Sequence, residues 1–239
     1  LIETGENLIR SDEPSPTRSS ILVRVSHSHL RIGTFQYHAY HQDHDSLELL
    51  IKSVGKHYLF LDEKNNSPLN FFKSVVKKCA KLAASYHICG FVHGVLNTDN
   101  ININGESFDY GPYRFLEKYD PHKIAAYFDH SGLYKFSNQT DAIFWNLQQL
   151  ASIMTIFLED NPIVNELKKY VNYYNEEVIK LFYEKLSLQP SDDYESNQLF
   201  LNNFYQILSQ YPYMYEEIFF VFCGGRQNLR FKSEIKDKY

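Results

Sequence analysis

The stretch from Asn66-Ser67-Pro68 to Gly90 constrains this chain more than any other, because it carries signals for both ends of one long helix. Ser67 offers a cap oxygen, Pro68 suits the first helical position, and Gly90 can take the left-handed stop. Between them Leu69, Phe72, Val76, Cys79, Ala83 and Tyr86 recur at three and four residues, which makes one buried face. The same spacing predicts a second helix from about Thr140 through Ile143, Leu147, Leu150, Met154 and Phe157. A third runs from Asn161-Pro162 through Leu167, Val171, Val178 and Phe182. Ile21-Leu22-Val23-Arg24-Val25 is short and β-branched, a strand by propensity, and runs into Ser28–Tyr37, which reads as strand or helix. Pro14 and Pro16 push the residues before them to extended conformations, so residues 1–20 are expected to form an exposed arm or linker. The expected fold class is α+β, mostly α, with residues 21–239 as the domain and 140–239 as its helical part.

Composition narrows the partners. Of 239 residues, 44% are apolar and 22% charged, enough to bury one large core or two small ones without metal or disulfide staples. With 24 basic against 29 acidic residues spread along the chain, there is no electrostatic footprint for nucleic acid or an anionic bilayer. The longest apolar stretch, Ile218 to Cys223, falls far short of the ~20 residues a membrane span needs, and the N-terminus has no signal-peptide core. Cys79, Cys89 and Cys223 are odd in number and lack C-x-x-C spacing, so they read as buried thiols in a reducing, cytoplasmic setting. There is no internal repeat and no low-complexity tract.

The chemistry concentrates in residues 90–112. Ile101-Asn102-Ile103-Asn104-Gly105-Glu106-Ser107-Phe108 alternates apolar and polar residues around an Asn-Gly turn, which predicts a short β-hairpin. Asp99 and Asn100 precede its first strand and Asp109 follows its second, so closing the hairpin gathers two carboxylates and an amide. Hard oxygen donors, few of them from protein, are what a hydrated Mg²⁺ bridging phosphates asks for. Protein kinases use this layout: a catalytic-loop Asp, a metal-binding Asn, then Asp-x-Gly after the hairpin. Asp109-Tyr110-Gly111 stands in that last place. Ordinary turn chemistry, with Asp and Asn side chains bonded to nearby backbone, is the competing reading of the hairpin. The order of elements favours the large, C-terminal lobe of a kinase-like fold, although His-Arg-Asp is absent and Asp99 and Asn100 are adjacent.

The chain resembles the selenoprotein O family of protein adenylyltransferases, which have a kinase-like fold. The resemblance rests on Arg24-Val25, Ser28-His29-Leu30-Arg31-Ile32-Gly33-Thr34-Phe35-Gln36-Tyr37, Gly90-Phe91-Val92-His93-Gly94-Val95-Leu96-Asn97-Thr98-Asp99-Asn100, Asp109-Tyr110-Gly111-Pro112, Tyr119-Asp120-Pro121 and Trp145-Asn146-Leu147. It implies transfer of AMP from ATP to Ser, Thr or Tyr hydroxyls of proteins, with ATP flipped relative to a kinase so that its α-phosphate faces the acceptor. By resemblance Asp99 accepts the hydroxyl proton, Asn100 and Asp109 hold Mg²⁺ or Mn²⁺, and Arg24 and Arg31 grip the nucleotide phosphates beside Asp109. An Arg fork suits phosphate oxygens and stays charged near neutrality.

Other residues carry less. His93 is expected to pack its ring under the loop, and Trp145 to pack in the core. His38, His41 and His44, with Asp43 and Asp45, have weak metal-site spacing. The chain has no G-x-G-x-x-G, and its first lysine is Lys52, so it reads as a large-lobe fragment whose small lobe would be a separate segment. The alternative is a truncated, impaired relative that acts at most as a nucleotide-binding or interaction module.

Overall fold

The computed structural model describes residues 2–9 and 15–225. It is mostly helical with two small antiparallel sheets. Strands β1 (Ile2–Leu8) and β2 (Thr17–Ile21) form an exposed two-stranded ribbon. Helices α1 (Ile32–Tyr40), α2 (His44–His57) and α3 (Pro68–Cys89) follow. Strands β3 (Phe91–His93) and β4 (Tyr113–Phe115) pair with each other, and then come α4 (Gln139–Met154), α5 (Asp160–Lys168), α6 (Tyr170–Lys185), α7 (Tyr194–Gln210) and α8 (Tyr215–Val221).

Helix α3 has the expected ends. The Ser67 hydroxyl accepts the Asn70 N–H at 3.3 Å, Pro68 opens the first turn, and Gly90 adopts φ 62°. Its burial exceeds one stripe: Phe71, Val75, Ala80, Leu82, Ala84 and Ile88 are buried along with most of the predicted face, because the helix is covered on several sides. Toward α1, α2, α4 and α5 it contributes Phe72, Val76 and Cys79 to one core; Ala84 and Ile88 join a second core with α6, α7 and α8. His87 sits where these layers meet, ringed by Phe136, Tyr174 and Tyr205.

Several expectations change. The strand predicted over residues 21–25 ends at Ile21, and Leu22 to Val25 run unpaired and exposed. The predicted third helix is two, α5 and α6, meeting at Lys169. Only Cys79 is a buried thiol, with burial pushing it up to about 12; Cys89 and Cys223 are exposed. Trp145 is 52% exposed rather than in the core. Its own helix explains this: Ile143, Leu147, Leu150 and Met154 make the buried stripe of α4, and a residue two positions from Ile143 and from Leu147 is turned about 200° from both. The last part of the predicted helical tail, residues 226–239, lies outside the described residues. No helix among the described residues is long and apolar enough to cross a membrane.

Candidate active site

Between β3 and β4 the chain makes a loop whose base is locked by three paired residues, Phe91 with Phe115, Val92 with Arg114 and His93 with Tyr113. The lock needs glycine at its inner edge, because a Cβ on Gly94 would lie 2.6 Å from the Pro112 carbonyl that its own N–H contacts at 2.7 Å. Within the loop the expected hairpin shrinks to one bridge, Ile101 with Ser107, around a turn in which Gly105 takes φ 74°. The missing pairing has been taken over by residues 28–33. Arg31 pairs with Asn102, Ile103 N–H bonds Leu30 O at 2.8 Å, Ile32 N–H bonds Ile101 O at 3.2 Å, and the Asn102 amide donates to Ser28 O. Two blocks some seventy positions apart in sequence are thus zipped into one surface.

That zipper places the predicted residues. Asp99 is exposed, and its carboxylate lies against the first turn of α1, where a Cβ on Gly33 would sit 2.1 Å from Oδ1. Asn100 is buried, and its amide nitrogen donates to Val95 O at 2.9 Å. That leaves its amide oxygen without a hydrogen bond among the described residues. Asn100 and Phe108 adjoin the two residues of the 101–107 bridge, and Asp99 and Asp109 come one position further along each arm. Asp109 is exposed and holds φ 53°, a left-handed conformation that costs roughly 1–3 kcal/mol and that Asp tolerates better than most side chains. Its Oδ1 is 3.5 Å from where a Cβ on Gly111 would be, so the carboxylate folds back over that glycine.

Both arginines lie on the two residues that flank Asp109. Arg31, the N-cap residue of α1, donates from Nη1 to Asp99 O at 3.3 Å, with its guanidinium 5.3 Å from the centre of the Phe108 ring. Its Nε is buried with no hydrogen-bond partner among the described residues. Arg24 donates to Ser107 O at 2.5 Å and stands 4.9 Å from the Tyr110 ring. Planar guanidinium groups on ring faces are favoured electrostatically and keep N–H donors on their edges for anions.

Three supporting residues, Glu106, Gln139 and Asn146, were not legible in the sequence as site features. Glu106 clasps the arginine-bearing segment: it accepts from Ser26 Oγ at 2.6 Å and from His27 N–H at 3.1 Å. Burial opposes its ionisation, but hydrogen bonds from Ser26, His27 and Asn104 outweigh that and hold it down to about 2. Gln139, at the start of α4, accepts the His93 N–H at 2.7 Å and donates to Phe91 O at 2.8 Å, standing in for a strand beside β3. Asn146 donates to Leu96 O at 2.7 Å from the buried side of α4. His93 is a strut, as expected: it accepts the Val95 N–H at Nδ1 and donates from Nε2 to Phe108 O at 2.8 Å. Burial lowers its affinity for a proton.

The Asn100 amide oxygen and the Asp109 carboxylate are hard donors of the kind that suits Mg²⁺ or Mn²⁺. Of the alternative histidines, His41 Nδ1 bonds Tyr37 O at 2.8 Å, and His38 Nδ1 lies 3.4 Å from an Asp43 carboxylate oxygen without making a hydrogen bond among the described residues. Among the described residues no group of three or more His, Cys, Asp or Glu could hold a metal by itself.

A family model described as "Protein adenylyltransferase SelO" matches residues 1–235. A protein of Trichodesmium erythraeum (strain IMS101) named "Protein nucleotidyltransferase YdiU" is 41% identical over 208 residues, covering 83% of this chain and 44% of that protein. Its namesake in Synechocystis sp. (strain ATCC 27184 / PCC 6803 / Kazusa) is 42% identical over 192 residues, 79% of this chain and 40% of that protein. The namesake in Alcanivorax borkumensis is 36% identical over 199 residues, 80% of this chain and 40% of that protein. The chain therefore spans about two fifths of the length of the curated relatives it matches.

Proposed function

Because the chain belongs to the SelO family of protein adenylyltransferases, we propose that it carries the AMP-transfer machinery of that family, on the large lobe of a kinase-like fold. The acceptor is a Ser, Thr or Tyr hydroxyl of a protein, and the donor is ATP. Asp99 takes the hydroxyl proton, the oxygen attacks the α-phosphorus, and the bond from that phosphorus to the bridging oxygen breaks. Pyrophosphate then leaves with the electron pair. Arg24 and Arg31 face that leaving charge, which grows in the transition state and is where fixed donors contribute most. Asn100 and Asp109 would hold Mg²⁺ or Mn²⁺, whose charge neutralises phosphate oxygens. In this reading residues 21–239 belong to the catalytic large lobe, preceded by the exposed ribbon of β1 and β2.

One observation supports the reading above the others: the two arginines are laid over residues 108 and 110, so they bracket Asp109 while Arg31 also holds the Asp99 backbone. An ordinary turn satisfying its own backbone has no use for two long-range guanidinium contacts. The test is to incubate the protein with a divalent cation and ATP labelled on either the α or the γ phosphate, with and without Asp109→Ala. Label retained on protein from the α position, lost in the variant, is the expected result. Retention from γ would make it a phosphotransferase, and no transfer by the folded chain supplied with a small lobe would leave only an impaired relative.

A further inference from the structure

We propose that the groove beside Trp145 seats the acceptor polypeptide, with an apolar side chain between Leu96, Leu133 and Trp145 and a Lys or Arg opposite Asp141. The inference rests on the transfer reading above and adds to it which acceptors are chosen.

The groove is a cavity of about 290 Å³ lined by Leu96, Leu133, Tyr134, Asp141, Ala142 and Trp145. Leu133 and Trp145 are both more than half exposed in it, an apolar pair that the fold displays rather than buries. Neither wall is loose. The Asp129 carboxylate accepts the N–H groups of Leu133 and Tyr134, each at 2.8 Å, and the Asn138 amide holds Gly132 O at 3.1 Å, so Leu133 stands on a fixed turn. On the opposite wall Asn146, next to Trp145, fixes the Leu96 carbonyl. Rigid aromatic and aliphatic anchors lose little entropy on binding and are where interface energy concentrates.

The position and charge of the groove select its occupant. Leu96 lies three residues before Asp99, a span of at most about 11 Å, so a chain in the groove presents a neighbouring residue two to four positions along to the proposed base. Asp141 is the one charged residue of the lining, and its carboxylate makes no ion pair or hydrogen bond among the described residues. A phosphate-bearing ligand would find no cation there and one carboxylate. A peptide with a leucine-like side chain and a nearby cation satisfies both features.

The chain has a single tryptophan, so excitation of indole reports this groove alone. Ten-residue peptides free of Trp and Tyr, with one serine and with a leucine and an arginine two to four positions from it, should shift Trp145 emission to shorter wavelength in a saturable way. Replacing the peptide leucine by serine should raise Kd about tenfold or more, and arginine by glutamate roughly threefold. Leu133→Ser should reproduce the first loss and Asp141→Asn the second; both are surface changes, and circular dichroism checks that the fold persists. Peptides that leave the emission unchanged to several millimolar, equal binding of the leucine and serine peptides, or ATP alone producing the shift would overturn the proposal. The readout needs no AMP transfer. Binding without transfer would sink the catalytic reading alone, whereas transfer without any response from Trp145 would sink the groove alone.

Discussion

At Gly33 a helix position and the side chain of Asp99, the proposed base, compete for the same space. Gly33 is in the first turn of α1, and alanine there would favour an isolated helix by about 1 kcal/mol. In this protein the added methyl would fall 2.1 Å from Asp99 Oδ1. A carboxylate can swing aside, so the fold should tolerate the change while the proposed base leaves its place. Misplacement by about 1 Å can cost roughly 10²-fold in rate. Gly33→Ala is therefore expected to keep its Tm within a few degrees and to lower AMP transfer about a hundredfold. Full activity in that variant would show that the position of Asp99 against α1 has no part in the chemistry. The sequence placed Gly33 in a matching block but offered no reason for glycine there. The reason is a contact with a side chain 66 positions away, which no local pattern encodes.

At the scale of elements, α4 is the scaffold of the loop. Gln139 at its first turn bonds both polar groups of β3 that face it, and Asn146, two turns later, bonds Leu96 O. Both side chains are buried. Gln139→Leu keeps approximate volume but strands a buried N–H and a buried C=O, each costing about 1–3 kcal/mol. A loss of roughly 2–4 kcal/mol is expected in urea unfolding, and AMP transfer should fall with it because the base of the loop loosens. An unfolding midpoint equal to that of the unaltered chain would mean that the β3–β4 pairing alone holds the loop. The helix itself was legible from Ile143, Leu147, Leu150 and Met154. The two amides were not, because a polar residue on an apolar stripe looks the same in sequence whether it braces a distant strand or points past the helix end. The exposure of Trp145 has a related cause: its size suggests burial, while its phase relative to Ile143 puts it outside.

For the molecule as a whole, the junction around His87 ties the two cores together. Its Nδ1 meets the Tyr174 hydroxyl of α6 at 2.5 Å, its backbone carbonyl accepts from Tyr215 of α8 at 2.9 Å, and Tyr205 of α7 packs on its ring. Burial lowers this imidazole to about 4, against 6.5 in an unfolded chain. The folded state therefore holds His87 neutral while the unfolded state takes up a proton, and stability falls as pH drops from about 6.5 toward 4. Between pH 7 and pH 5 this one group should remove roughly 2 kcal/mol. Urea unfolding at the two pH values should show that loss, and His87→Gln should flatten the pH dependence by about the same amount. An equal slope in both proteins would assign the acid sensitivity to other groups.

The helices with caps and periodic faces and the turn at Gly105 were available from residue order. They depend on neighbours within a few positions, where backbone sterics, capping chemistry and side-chain spacing act directly. The tertiary structure decided the rest. Residues 28–33 took the hydrogen bonds that would have extended the predicted hairpin, Glu106 clasped Ser26 and His27, and Asp99 came to lie on Gly33. Each of these joins groups 66 or more positions apart, and such a pairing forms only when packing of the whole core brings the two segments together, so its energy leaves no periodic or local trace in the chain.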